Sequence, residues 1–329
     1  MSIPVVSVIL QTYNRAGMLR GAIESVFAQT FTDWELIIVD DGSTDETPQI
    51  VESYQQGTGA IRYIRLPHQG FVKTRAAAVA QARGTYVTLL DDDDVFLPGK
   101  LARQVAFLDA NPEFGLVYSS VDLVDGDGRF LERLPHRPAH NYLELVEYGC
   151  VISGHAALVR RVCFDRVGGF RDDLPTASDY DMWLRIGRAF PIAFLPDVVG
   201  LYRRHGDNLT TRYTEEYATH RAIYHELGQR DNSAALRTRL ARAHARLNRE
   251  LAIFHYKYAA ESLDARRYGV AAWDYFQAVR HDAAVGHRIG WGAGKSRAYR
   301  LLRPYAAAMY CAGAALTTMV RGRPTHAAR

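Results

Sequence analysis

Apolar, β-branched runs alternate with helical stretches through the N-terminal part of the chain, and two of those runs end abruptly in carboxylates. Residues 5–10 form the first run. Residues 34–39 form the second, which stops at Asp40-Asp41-Gly42-Ser43-Thr44-Asp45. Residues 61–66 read as a third strand and residues 86–90 as a fourth, entering Asp91-Asp92-Asp93-Asp94. Between them, Leu19, Ile23, Val26 and Phe27 recur at helical spacing. A second helix is expected near Glu46, with Ser43 or Thr44 as its cap and Pro48 in its first turn, and residues 73–82 are an Ala-rich third. Strands and helices alternating at this interval predict βαβ units and an α/β fold on a mostly parallel sheet. Open α/β sheets bind ligands outside the carboxyl ends of their strands. Both acidic clusters lie at such ends, so topology and charge place them in one crevice.

Four consecutive carboxylates repel one another, and folding alone gives no reason to put them at the end of a buried strand. A divalent cation bound to diphosphate oxygens does give one, since Mg²⁺ and Mn²⁺ take oxygen ligands from one or two carboxylates plus substrate phosphates. On an extended segment Asp91 and Asp93 share one face. The Asp40-Asp41-Gly42-Ser43 cluster reads either as a turn with a helix cap or as a nucleoside contact, with Tyr13 stacking on the base. A third acidic group, Ser178-Asp179-Tyr180-Asp181, opens a helix expected over residues 179–190. A carboxylate there is stabilised by the helix dipole, and it can also serve as a general base; spacing alone does not choose between Asp179 and Asp181.

Residues 116–121 and 151–159 read as further strands, residues 126–128 and 167–170 as turns, and residues 129–150 as a segment crossing the site. Beyond residue 212 the strand pattern gives way to Arg/Ala/Leu-rich helices. Charge divides at the same place: residues 1–211 carry 20 basic against 27 acidic side chains, a balance of −7, and residues 212–329 carry 20 against 9, a balance of +11. The expected organisation is a catalytic domain over 1–211, helical hairpins over 212–285, and a basic, Ala-rich amphipathic tail over 286–329. Cys150, Cys163 and Cys311 form no CxxC pair, which suits a reducing compartment, with Cys150 and Cys163 as small core residues. The N-terminal residues read as a first strand, not a signal peptide.

Taken together, the runs VSVILQTYNR (6–15), ESVFAQTF (24–31), ELIIVDDGSTD (35–45), ARGTY (82–86) leading into LLDDDD, Gly168-Gly169-Phe170 and SDYDMWLR (178–185) resemble glycosyltransferase family 2 in the expected order over residues 4–212. The resemblance implies a GT-A fold (Rossmann-like, a mostly parallel sheet flanked by helices, here with a C-terminal helical extension), a nucleotide-diphospho-sugar donor, UDP-sugar favoured, and inversion at the anomeric carbon. It implies Asp91 and Asp93 as the DxD metal motif for Mn²⁺ or Mg²⁺, with His205 of Tyr202-Arg203-Arg204-His205 reaching the metal or diphosphate. Asp92 matches a ribose-reaching position, Thr12, Tyr13 and Asp41 nucleoside-contacting positions, Arg75 a basic position near the base or diphosphate, and Asp179 the catalytic base. Three positions depart from the pattern: Ser178 stands where Glu is frequent, and Ala76 and Ala78 where Asn and Gly are.

The acceptor implied is a glycan or lipid-linked hydroxyl in surface glycan or glycolipid assembly. Residues 268–279 are loosely similar to tetratricopeptide helices. The uncharged stretch 304–320, flanked by Lys295, Arg297, Arg300, Arg303 and Arg321, is too short and Ala-rich to span a bilayer well. It reads as a surface for an anionic leaflet, or as packing within the protein or a homo-oligomer. The expected location is the cytoplasm, peripheral on the inner face of the membrane. No nucleic acid partner is expected, because the tail lacks interleaved aromatics. The rival readings are a non-catalytic nucleotide-sugar-binding scaffold and a nucleotidyltransferase. The second is disfavoured because Gln-Thr-Tyr-Asn-Arg, and no Gly-rich loop, comes after the first strand.

Overall fold

The computed structural model describes residues 3–57, 59–135, 137–205, 213–264 and 268–282. The chain divides into two compact units, Met1–Leu240 and Ala241–Arg329. The tail over 286–329, with Cys311 and its basic flanks, lies outside the described residues.

The first unit is built on a mixed sheet. Strands β1 (Val6–Thr12), β2 (Trp34–Asp40), β3 (Ile61–Arg65) and β4 (Tyr86–Asp91) are parallel, joined by helices α1 (Ala16–Phe27), α2 (Thr47–Gln55) and α3 (Phe71–Val79). After β5 (Val95–Phe96) and α4 (Lys100–Ala110) come β6 (Leu116–Val124), β7 (Phe130–Leu134), α5 (Tyr142–Tyr148), β8 (Ala157–Arg160), α6 (Arg161–Val167), α7 (Ser178–Ala189) and β9 (Ile192–Arg203). The order across the sheet is β3-β2-β1-β4-β8-β6-β9-β5, with β7 on β6. Only β5, β7 and β8 run against the rest, so the sheet is mostly parallel, as expected.

Every residue of β1 is buried, as a central strand covered on both faces should be. Val6, Val8 and Leu10 share a cluster with Leu19, Ile23 and Val26 of α1, which is the helical stripe seen in the sequence. Gly84 runs against β1: a Cβ there would lie 2.6 Å from the Ser7 nitrogen. Helix α5 opens on Asn141, whose Oδ1 accepts from Glu144 N at 3.0 Å, while Glu144 Oε2 accepts from His140 N at 2.8 Å. The first bond caps the helix, and the second ties Glu144 to the residue before the cap, a variant of the capping box in which the N–H reached is one position earlier.

Three local expectations are corrected. Neither Ser43 nor Thr44 caps α2, which starts at Thr47 after Glu46 with no side-chain cap; Ser43 Oγ accepts from Asn14 N at 2.9 Å instead. Residues 151–159 are not one strand. A one-turn 3-10 helix, Gly154–Ala156, precedes β8, and it turns His155 inward to meet Asp94. Cys163 is buried, as expected, but Cys150, in the turn that follows the α5 cap Gly149, is exposed and is not a core residue.

Helix α8 (Tyr213–Arg230) also belongs to the first unit. Its Glu226 and Tyr224 meet Arg171 and the Tyr180 hydroxyl. Helix α9 (Ala234–Asp264) carries the chain into the second unit, where Ala243, Leu247 and Leu251 are buried along one stripe and Tyr256 is buried as well. There His255 Nδ1 lies 2.7 Å from Asp274 Oδ1 of α10 (Tyr268–His281). No helix among the described residues is long and apolar enough to cross a membrane.

Candidate active site

The carboxyl ends of β1, β2 and β4 lie side by side. Thr12 pairs in register with Asp40, and Gln11 with Asp91. The turns that leave these three strands therefore line one crevice.

After β1, Thr12 is buried, and Tyr13 is exposed and stacks on His68 with ring centroids 4.2 Å apart. Asn14 adopts a left-handed backbone (φ 51°) and ties this turn to the next through Thr44 N, which donates to Asn14 Oδ1 at 2.7 Å. After β2, the buried Asp41 organises the segment that leads into α3. Its Oδ1 accepts from Gln69 N at 2.9 Å and Thr74 Oγ1 at 2.6 Å, and its Oδ2 accepts from Gly70 N at 3.0 Å. His68 Nδ1 is 2.9 Å from the same Oδ2. Asp41 thus shapes the wall beside Tyr13, with its lone pairs already engaged by protein donors.

After β4 the acidic run divides. Asp91, half-buried, accepts from Arg75 NH2 at 2.6 Å, and the Arg75 guanidinium lies over the Phe71 ring. Beyond Asp91 the chain turns, with Asp94 N donating to Asp91 O at 3.1 Å. The alternation that would put Asp91 and Asp93 on one face does not apply, because the strand has ended. Asp92 and Asp93 share a partner instead: Arg15 NH1 lies 3.0 Å from Asp92 Oδ1 and 2.7 Å from Asp93 Oδ2. His205, just past β9, places Nε2 at 2.9 Å from Asp93 Oδ2. Among the described residues no three His, Cys, Asp or Glu side chains converge as a ready ligand set, so Asp93 and His205 form a pair of donors with Asp91 drawn to Arg75. Burial pushes the Asp92 carboxyl up to about 7, with Arg15 opposing it.

Asp179 stands in the first turn of α7, behind Ala177, the other non-glycine residue with a left-handed backbone (φ 52°) among the described residues. Burial raises its pKa and the Arg75 charge works against the rise, while Asp91 adds to it. Asp181 is spoken for. It binds Arg185 Nε at 2.8 Å and faces Arg171 at 3.6 Å, while Arg185 also holds the carbonyls of Val167, Gly168 and Gly169. Asp181 braces a turn through Arg185 and Arg171, whereas Asp179 feels the charges of Arg75 and Asp91.

Sequence reasoning assigned no role to Arg15, His68, Asp94 or His155. A signal for Arg15 existed, since four neighbouring carboxylates require a cation and Arg15 lies just past the adjacent strand. His155 carried none, because its partner is 61 positions away and meets it only through the sheet.

A family model described as glycosyl transferase family 2 matches residues 7–168. An uncharacterized glycosyltransferase of Rickettsia prowazekii is 30% identical over 223 residues, covering 65% of this chain and 69% of that protein. Other curated relatives are longer, and the chain spans 35% and 28% of two of them. Among solved structures, TarS of S. aureus (residues 1–349) in complex with UDP-GlcNAc superposes with a TM-score of 0.60 at 21% identity, over 93% of this chain and 88% of that one. The mannosyltransferase PcManGT of Pyrobaculum calidifontis, in complex with GDP-Man and Mn²⁺, does so with a TM-score of 0.60 at 21% identity, over 97% and 88%. At such identities the two structures establish the shared fold.

Proposed function

This chain belongs to glycosyl transferase family 2, and on that premise we propose that it is a metal-dependent, inverting transferase that moves a sugar from a nucleotide-diphospho-sugar to an acceptor hydroxyl. One observation carries the reading: the ends of β1, β4 and β9 bring Arg15, Asp92, Asp93 and His205 together, with Arg75 bound to Asp91 beside them and Asp179 within reach of the Arg75 and Asp91 charges.

The Asp93 carboxylate and the His205 imidazole, 2.9 Å apart and largely buried, fit a divalent cation in their chemistry. One oxygen and one nitrogen donor leave most coordination positions to phosphate oxygens, which suits Mn²⁺ or Mg²⁺. When bound, such a cation would offset the charge that builds on the departing nucleoside diphosphate. The Arg15 guanidinium lies against the same carboxylates and adds fixed positive charge on that side. Tyr13 offers the nucleobase a flat, exposed face, bordered by His68 and the wall that Asp41 holds, with Thr12 beneath and Asp92 toward the ribose. Asp179 accepts the proton of the acceptor hydroxyl as that oxygen attacks the anomeric carbon from the face opposite the diphosphate. Burial raises the Asp179 pKa, which makes it a stronger base, and the Arg75 charge favours its ionised form against that rise. One displacement at one carbon inverts the configuration, and no enzyme nucleophile is needed.

The neighbours bound to UDP-GlcNAc and to GDP-Man with Mn²⁺ support a nucleotide-sugar donor; a UDP-sugar is the favoured one. The acceptor we propose is a growing glycan or a lipid-linked sugar, reached from the cytoplasmic face of a membrane. The domain division we propose is transferase over 1–211, helical hairpins over 212–285, of which the first helix, α8, packs within the transferase unit, and a basic tail over 286–329. The test is a panel of UDP-, GDP- and dTDP-sugars, with and without Mn²⁺ or Mg²⁺, read as nucleoside diphosphate release. Metal-dependent release from one donor, abolished in Asp93→Ala, is the expected result. Binding without turnover of any donor, lipid extracts included, would move the scaffold reading ahead.

A further inference from the structure

The fourth carboxylate of the acidic run has no part in sugar transfer itself. Asp94 is 1% exposed, and its Oδ2 lies 2.8 Å from Nδ1 of His155, which is also 1% exposed. Removing two ionisable groups so completely from water is unfavourable unless they are paired, and pairing alone seldom repays the desolvation. The pair therefore calls for a reason, and its surroundings supply one.

Each partner holds the same piece of β9. Asp94 Oδ1 accepts from Arg203 N at 3.1 Å, at the last residue of that strand. His155 packs against β9 at Gly200: a Cβ built there would lie 2.8 Å from His155 Cδ2, 3.0 Å from Val95 O and 3.2 Å from His155 Nε2, so the imidazole and the paired strand together require glycine. Around these contacts Val95 and Phe96 pair with Leu201 and Gly200, and Leu97 N donates to Val199 O at 2.8 Å. The far nitrogen of His155 has no hydrogen-bond partner among the described residues, so nothing on that side competes with Asp94 for the orientation of the ring. Both ends of this arrangement lead to the candidate metal pair. Asp94 is one residue from Asp93, and Arg203 is two residues from His205, whose Nε2 meets Asp93 Oδ2.

We propose that Asp94 and His155 are positioning residues that hold the two halves of the Asp93–His205 pair in register for a divalent cation. The inference rests on the transferase reading, because that reading gives Asp93 and His205 their ligand. Asp94 anchors the strand end by its backbone contact, and His155 fixes Asp94 and the path of β9 at Gly200. Neither touches donor or acceptor. Loss of partners that orient metal ligands commonly lowers metal affinity by about 10–100-fold.

The test titrates Mn²⁺ into the full chain by calorimetry in the presence of UDP or GDP, whichever the unaltered protein binds, and measures nucleotide binding separately without metal. His155→Leu should weaken Mn²⁺ binding by about 10–100-fold while metal-free nucleotide affinity stays within about twofold. His155→Gln, whose amide can still donate toward Asp94, should recover most of the loss. Gly200→Ala leaves both charges in place and crowds the imidazole and the Val95 carbonyl that flank β9, and should weaken Mn²⁺ binding in the same direction; it serves if His155→Leu does not fold. Unchanged Mn²⁺ affinity in the folded variants overturns the inference. So does a fall in metal-free nucleotide binding in step with Mn²⁺, which would mean a general loosening. If the unaltered chain binds no nucleotide at all, the transferase reading itself fails, a result that the variants are not needed to recognise.

Discussion

Replacing Glu35 by glutamine isolates one buried charge at the seam between β1, β2 and the turn before β4. Glu35 is 3% exposed. Its Oε1 accepts from Ser7 Oγ at 2.7 Å and Arg83 N at 3.0 Å; its Oε2 accepts from Arg83 Nε at 3.0 Å, Arg83 NH2 at 2.7 Å and Arg62 NH1 at 3.3 Å. Glutamine can keep the first two bonds on its remaining oxygen, but it presents an amide NH₂ to the guanidinium groups. Arg83 is half exposed and can turn to water, so the loss approximates one charge-assisted hydrogen bond, about 2 kcal/mol, and not a whole buried pair. The pH dependence checks the assignment. Burial alone would raise the Glu35 carboxyl, but the bonds from Arg83 and Ser7 outweigh it and hold the pKa below its ordinary 4.5. A carboxylate depressed in the folded state stabilises above its unfolded pKa, and that stability is lost as pH falls through the folded value. Urea unfolding of both proteins, monitored by circular dichroism, should show the full gap at pH 7 and a shrinking gap below pH ~4.5. A gap that is absent at neutral pH, or equally large in acid, would refute the reasoning.

Further outcomes are expected from single contacts. Asp179→Asn should lower turnover by about 10²–10⁴-fold with donor affinity little changed. In the unaltered enzyme, burial raises the Asp179 pKa, so the acid limb of kcat should fall above the ordinary 3.8; a limb at or below that value counts against Asp179 as the base. Gly84→Ala sets a Cβ 2.6 Å from Ser7 N and 2.9 Å from Val6 C, both backbone atoms that cannot swing aside. The expected cost is about 1–3 kcal/mol, read as a lower Tm, and an unchanged Tm would contradict it. The fully buried Lys100 bonds Thr88 and Gln104 at 2.9 and 2.8 Å, and burial holds its pKa well below 10.5. Between those two values the unfolded chain binds the proton and the folded one does not, so stability rises with pH. Raising the pH from ~7 to ~10 should therefore stabilise the unaltered chain relative to Lys100→Met, and no relative change in Tm would overturn this.

The parts that were legible in the sequence are those decided by local pattern. The strands β1 to β4 and helices α1 to α3 arise from apolar runs and helical spacing over consecutive residues, and the placing of their carboxyl ends arises from βαβ topology. What the pattern missed depends on contacts made across the sheet. Ser43 looked like a helix cap until Asn14 claimed its hydroxyl from 29 positions away. Residues 151–159 looked like one strand because Val, Ile, Leu and Ala dominate it, whereas the 3-10 turn over Gly154–Ala156 is set by the inward contact of His155 with Asp94. Asp91 and Asp93 looked like neighbours on one face until the turn at Asp94 ended the strand. Asp41 shows a mixed outcome: it stands in the crevice, yet its oxygens bind the backbone of residues 69 and 70, a task no spacing announces.

The most direct test of inverting glycosyl transfer avoids the unknown acceptor by letting water take its place. The full chain, at a concentration that outruns mutarotation, would be given an α-linked nucleotide-sugar with Mn²⁺ while the anomeric protons are monitored by NMR. A single displacement predicts the β-hemiacetal as the first product, appearing together with nucleoside diphosphate and lost in Asp93→Ala. An α-hemiacetal as the first product would contradict the account, since it requires two displacements or attack from the face of the departing diphosphate.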